Sequence, residues 1–246
     1  MAHVDRRTLL RAALTSLAAG GAATLLPGAP PAAAAGRTRV IGRSVQGRPL
    51  VLTTLGDPAA GRRLLVVGCI HGSEPAGVTI VDRLARSRPP AGTALLLVRS
   101  VNPDGQLRGT RQNARGVDLN RNFPTRWAGG GAPGEVYYPG PRAGSEPETQ
   151  AVLRLVAAEQ PDVTIWYHQH LDLVDLSGGD AAISRRYARR SGLRAEQLTR
   201  FGGSVATWQN TVHRGTTAVV VELPARVDGP MQVRHVAAVL AAAADL

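Results

Sequence analysis

The sequence predicts one α/β domain, a mixed, mostly parallel twisted sheet with helices on both faces. Three observations carry that expectation. Short apolar runs at Leu64–Ile70, Ala94–Val101, Val163–Tyr167 and Ala218–Val221 have the composition of strands buried on both faces. Helical segments fall between these runs, and strands alternating with helices build a sheet covered on both sides. The chain has 246 residues, 43% of them hydrophobic and 19% charged, enough for one well-cored domain and too apolar for wholesale disorder.

The elements follow in order. Residues 1–35 stand apart: paired arginines Arg6-Arg7, then leucines, a mildly apolar stretch, and a Pro/Ala tract ending in small residues near Ala33-Ala34-Ala35. That order is expected of a twin-arginine-type signal peptide, leaving 36–246 as the folded domain. Gln46-Gly47 between Arg39–Ser44 and Pro49–Leu55 predicts a hairpin. A helix is expected over Pro75–Arg86, with Ala76, Ile80 and Leu84 on its core stripe. Residues 102–146 are rich in Gly, Pro, Asn and Arg without periodicity, and a loop that long in a compact domain is usually functional. Ser145-Glu146-Pro147-Glu148 opens a second helix, with a capping serine, an early proline and acids in the first turn, running to Glu159. A C-terminal helix is expected over Pro230–Ala244.

Composition narrows the function. Cys69 is the single cysteine, which excludes an intrachain disulfide and any multi-cysteine zinc site. All 29 basic residues are arginine, giving a formal charge of +11, and lysine-free usage resembles the coding bias of a GC-rich genome. With 4% aromatic residues there is little for base stacking, so no nucleic-acid partner is expected. No segment after residue 35 has the roughly eighteen unbroken apolar residues of a membrane span, so none is expected in the mature chain.

Chemistry-bearing residues cluster where the apolar runs end: His71-Gly72-Ser73-Glu74 after the first, His168-Gln169-His170 after the third and Glu222 after the fourth. Sites in open α/β sheets form at the carboxyl ends of strands, so these groups can converge. His71 and Glu74, three apart at a strand-to-helix turn, suit one ion. A third ligand from another strand gives a His₂Glu set with an open position, the arrangement of catalytic zinc. Residues two apart in a strand face the same way, so either His168 or His170 can serve.

Longer motifs then carry a resemblance. His71-Gly72-Ser73-Glu74-Pro75-Ala76-Gly77, Asn102-Pro103-Asp104-Gly105, Arg111-Gln112-Asn113-Ala114-Arg115 and Gly116-Val117-Asp118-Leu119-Asn120-Arg121-Asn122-Phe123-Pro124 together resemble zinc carboxypeptidases of the M14 family. Ser145-Glu146-Pro147-Glu148-Thr149 and Val221-Glu222-Leu223-Pro224 extend it toward the bacterial murein peptide amidase branch, which cleaves γ-D-glutamyl–diaminopimelate bonds. The resemblance implies one Zn²⁺ per chain held by His71, Glu74 and His168. It makes Asp118 the carboxylate behind the first histidine, Arg111 the group that polarises the scissile carbonyl, and Glu222 the general base. Asn120 and Arg121 become the anchors of the substrate carboxylate. The third family ligand follows its strand directly, which selects His168 over His170.

The departures concern specificity. Ser73 stands where pancreatic carboxypeptidases have an arginine. Gly202–Trp208 resembles their pocket-lining segment, but Leu198 and Thr199 stand where their substrate-contacting tyrosine would fall. Residues 197–208 contain no acid, so selection for basic side chains is not expected. Arg200, Arg214 and Asp175 are candidates for the second ammonium and carboxylate of diaminopimelate. The reading is a secreted zinc amidase or carboxypeptidase acting on a murein peptide or peptide substrate, placed outside the cell, in the periplasm or at the wall. Its alternatives are a general metallocarboxypeptidase, a zinc deacylase of N-acyl amino acids, and a non-catalytic wall-binding relative. The run Arg185-Arg186-Tyr187-Ala188-Arg189-Arg190 reads as a solvated helix face, with weak attraction to anionic wall polymers as its other use.

Overall fold

Residues 36–246 are described by the computed structural model; the expected signal peptide lies outside them. Strands β1 (Arg37–Arg43) and β2 (Pro49–Gly56) form the antiparallel hairpin that Gln46-Gly47 predicts. The remaining strands are β3 (Arg62–Val67), β4 (Thr93–Val98), β5 (Val163–Gln169), β6 (Leu173–Asp175), β7 (Arg194–Glu196) and β8 (Thr217–Leu223). They form one sheet in the order β1-β2-β4-β3-β5-β8-β6-β7. The central β4-β3-β5-β8 block is parallel, β6 runs antiparallel to β8, and β7 pairs parallel with β6.

Helices α1 (Ala76–Leu84), α4 (Ala181–Ser191) and α6 (Gly229–Ala244) are on one face; α3 (Pro147–Glu159) and α5 (Val205–Val212) are on the other, and α2 (Pro103–Arg108) is a short turn of helix in the long loop. Alternation along the strands explains the two layers. Leu64, Val66, Ile165 and Tyr167 pack under α1 and α6, while Leu65, Val67 and Trp166 pack with α3 and α5. Because both faces are covered, the central strands carry near-continuous apolar runs, and each fully buried Leu or Val contributes roughly 1.5–3 kcal/mol. Trp166 still finds a partner for its indole N–H, the Gln209 Oε1 at 3.3 Å. The arginines of α4 point away from this core: Ser184, Tyr187, Ala188 and Ser191 are its buried residues, and Arg190 pairs with Asp245 at 2.6 Å.

Two expected strands are shorter than predicted. The first ends at Val67, although Ile70 stays in the core, and the second ends at Val98. Beyond those points the chains part, with single bonds from Gly68 N–H to the Val98 carbonyl and from Val101 N–H to the Cys69 carbonyl. Conversely, β5 and β8 run past their apolar cores, so His168 and Glu222 are paired across the ladder inside strands. Among the described residues, no helix is long and apolar enough to cross a membrane.

Candidate metal centre and cleft

Backbone packing brings the site segments together. A Cβ on Gly72 would lie 2.0 Å from the Gly105 carbonyl carbon, so only glycine allows the turn after His71 to rest on α2. That contact places the Arg111 loop alongside, where the Gly72 N–H meets the Arg111 carbonyl at 3.3 Å. Asn102 caps α2, accepting from Gly105 N–H. Glu74 ends the turn just before α1, and the Gln169 side chain ties α1 to the end of β5 by accepting from Ala76 N–H at 2.9 Å.

His71, Glu74 and His168 put one donor atom each within 4.8 Å of the others; His170, exposed on the cleft rim, is not in this group. His71 Nδ1 is 3.0 Å from Glu74 Oε1, His168 Nδ1 is 3.1 Å from Glu74 Oε2, and the two Nδ1 atoms are 3.2 Å apart. Donors about 2.0–2.1 Å from one tetrahedral ion stand about 3.3 Å from each other, so the spacing fits zinc. Two facing imidazole nitrogens need a proton or a cation between them. The donor set is also the borderline nitrogen and oxygen chemistry that zinc accepts.

The surrounding charges favour a cation there. Asp118, fully buried, accepts from His71 Nε2 at 3.0 Å, which leaves Nδ1 turned to the cluster with its lone pair free. Burial opposes charge on His71, but its hydrogen bonds to Asp118 and Glu74 raise its pKa above the ordinary 6.5. Burial likewise opposes charge on Glu74, but bonds to both histidines hold its carboxyl well below the usual range. Arg111 bridges the two acids, with Nη1 2.9 Å from Glu74 Oε1 and Nε 3.0 Å from Asp118 Oδ2. Glu222 behaves oppositely: burial pushes its pKa up, and its buried Oε2 has no hydrogen-bond partner among the described residues.

The centre opens into a cleft of about 470 Å³ that reaches Glu222, Arg111, Asn120 and Arg121. Asn120 spends its side-chain oxygen on the Val205 N–H at 2.9 Å, at the start of α5. Leu198 and Thr199 do line the cleft, as do Asp175 and Arg200, whereas Arg214 does not. Asp175 is already engaged by the Ser177 and Leu198 backbone N–H groups, at 2.7 and 3.0 Å.

Against this geometry, a family profile described as zinc carboxypeptidase matches residues 34–174, more than half of the chain. The chain belongs to the zinc carboxypeptidase family. Murein peptide amidase A of Escherichia coli K12 is 36% identical over 150 residues, covering 56% of this chain and 61% of that protein. This family member therefore spans about three fifths of the length of that relative. Murein peptide amidase A of Vibrio campbellii is 30% identical over 196 residues, covering 74% of this chain and 77% of its own. Among solved structures, the murein-tripeptide amidase MpaA of Escherichia coli O157 superposes with a TM-score of 0.70 at 28% identity, over 84% of this chain and 91% of that one. Bovine thrombin-activatable fibrinolysis inhibitor shares the fold, with a TM-score of 0.72 at 16% identity over 86% and 90% of the two chains. Eight strands in one mixed sheet, with helices on both faces, are thus the fold of this family.

Three parts of the cleft escaped the sequence reasoning. Gln169 bonds Glu74 through its backbone N–H at 3.1 Å and spans to the Pro224 carbonyl at 3.1 Å. Tyr137 and Phe201 stand beside Arg121, from two loops without periodic pattern. Their one signal was an aromatic residue in exposed, glycine-rich sequence of a chain only 4% aromatic.

Proposed function

We propose that this chain is an exported zinc amidase that hydrolyses an amide bond next to a carboxylate-bearing residue in murein peptides, such as γ-D-glutamyl–diaminopimelate. The observation that carries the reading is a three-donor cluster opening into a cleft that also holds Glu222, whose buried Oε2 has no hydrogen-bond partner among the described residues, and two guanidinium groups. Similarity to murein peptide amidase A, at 36% and 30% identity, supports the wall peptide over other amides.

His71, Glu74 and His168 would hold one zinc ion, which supplies Lewis acidity and lowers the pKa of a bound water toward about 7. Asp118 fixes the His71 tautomer. Glu222 takes a proton from the attacking water and returns it to the leaving amine, so that the carbon–nitrogen bond breaks to a carboxylate and an amine. Its raised pKa suits a group that must both accept and give up that proton. Arg111 sets fixed positive charge beside the carbonyl oxygen as negative charge develops there. Arg121 and the Asn120 amide anchor the carboxylate beyond the scissile bond and so choose which bond reacts. Export rests on the order of charge, apolar stretch and small residues in 1–35, and the exposed Arg185 and Arg189 suit weak attraction to an anionic wall.

The test is hydrolysis of three substrates by the purified protein: murein tripeptide, an ordinary peptide with a free C-terminus, and an N-acyl amino acid. The proposal expects the tripeptide to be cleaved fastest, and chelation to stop the reaction. Faster turnover of the ordinary peptide makes the chain a general carboxypeptidase, faster turnover of the acyl amino acid a deacylase, and no turnover with zinc present a binding protein.

A further inference from the structure

Among the described residues Arg121 has no acid within ion-pair distance, and Asp118 acts on it only through space. Among the described residues its guanidinium makes one hydrogen bond, from Nη1 to the carbonyl of its neighbour Asn120 at 2.8 Å. Arg111, by contrast, is paired with two acids, Glu74 and Asp118. What surrounds Arg121 instead is aromatic: its Cζ lies 4.4 Å from the Phe201 ring centroid and 5.0 Å from that of Tyr137. The Tyr137 ring also lies 5.5 Å from the Arg111 Cζ. Both rings are unusually open for their size, 62% exposed for Tyr137 and 53% for Phe201. Together with Arg121 they form the wall between the cleft and a second groove of about 480 Å³.

The rings are not on free loops. The Tyr138 carbonyl accepts from Asp118 N–H at 2.8 Å, which straps the Tyr137 loop to the segment that carries Arg121. The Phe201 loop is strapped to the same segment by Phe123 N–H to the Gly203 carbonyl and Gly203 N–H to the Thr125 carbonyl, both 2.9 Å. Two separate loops thus deliver an aromatic ring to one guanidinium. A ring orients a guanidinium through its quadrupole without occupying any N–H donor, whereas a carboxylate would occupy the donors that an incoming anion needs.

The geometry points to Tyr137 and Phe201 as positioning residues that hold Arg121 for a substrate carboxylate, taking the place of a protein counter-ion. The inference rests on the reading of Arg121 as the carboxylate anchor. It also accounts for the absence of a tyrosine at Leu198 or Thr199, because aromatic contact at this end of the cleft comes from Phe201, two residues further on, and from the Tyr137 loop.

The test measures binding by calorimetry in the zinc-loaded Glu222→Gln background, where turnover does not interfere. The probes are the murein tripeptide and its analogue with a carboxamide replacing the carboxylate next to the scissile bond. Tyr137→Ala and Phe201→Ala should each weaken binding of the acid about 2- to 30-fold, the span of cation–π contributions from exposed to desolvated sites, and leave binding of the amide unchanged. Tyr137→Phe and Phe201→Tyr keep a ring and should bind the acid within about twofold of the parent. Acid binding unchanged by either alanine variant, an equal loss for the amide, or a loss in Tyr137→Phe equal to that in Tyr137→Ala overturns the proposal. A parent that does not distinguish acid from amide overturns the Arg121 anchor itself. Hydrolysis by the Glu222-containing protein shows separately whether the amidase reading stands.

Discussion

Replacing Asp118 with asparagine keeps the side chain's size and removes one charge at the point where the structure is least able to absorb it. The parent carboxylate is fully buried and uses both oxygens: Oδ1 accepts from His71 Nε2 at 3.0 Å and Asn120 N–H at 2.9 Å, and Oδ2 accepts from Arg111 Nε at 3.0 Å. An amide has one acceptor end and one donor end. If its oxygen faces His71, its NH₂ meets the Arg111 guanidinium, donor against donor. If it turns over, His71 must carry its proton on Nδ1, the atom that faces Glu74 and His168. Either orientation weakens the donor cluster. Loss of the carboxylate behind a ligand histidine typically costs 10- to 100-fold in metal affinity, or about 1.4–2.7 kcal/mol. Competition with a chelating dye at fixed pH measures the zinc dissociation constant directly, and thermal unfolding with and without zinc checks that the variant folds. Zinc affinity within about twofold of the parent in a folded variant would show that Asp118 does not govern the ligand behaviour of His71.

Three further outcomes are expected. Glu222→Gln should lower kcat by about 10²–10⁴ with zinc content unchanged, and activity within a fewfold of the parent removes Glu222 as the proton acceptor. Burial, with the nearby Arg234 adding to it, holds His235 down at about 4 against an ordinary 6.5, so the unfolded chain takes up its proton first as pH falls. The stability this site gives is fully present above pH 6.5 and is lost on going down to about 4, a change of about 3 kcal/mol that denaturant titration reads; His235→Leu should flatten it, and an unchanged slope refutes the assignment. Changing Arg6 and Arg7 together to lysine should stop export, and a mature N-terminus at Met1 in the secreted fraction of the parent would contradict cleavage after residue 35.

The central strands were legible because burial on both faces leaves an unbroken apolar run, as in Leu64–Val67 and Val163–Tyr167. Three-residue strands leave no such run: β6 and β7 owe their pairing to the neighbours they meet, and Arg194 and Glu196 have no apolar pattern at all. Helix α4 was visible only as a charged face, since its buried side is Ser184, Tyr187, Ala188 and Ser191, two of them polar. Strand order is a property of the crossovers and has no local signature. At the site, the sequence marked the three residues whose donor atoms cluster, because a His₂Glu set at the ends of strands has a recognisable type and spacing. It could not mark Gln169 or the rings beside Arg121, because a glutamine clamp and a pair of exposed aromatics acquire their roles only when separate loops meet.

The most direct test of the account is the anomalous difference map of the zinc-loaded protein, recorded above and below the zinc absorption edge. One peak per chain is predicted, about 2.0–2.1 Å from His71 Nδ1 and His168 Nδ1 and at bonding distance from the Glu74 carboxylate, with His170 turned away. A peak bound by His170 while His168 points elsewhere, or a zinc-loaded crystal with no peak among these three residues, would contradict it.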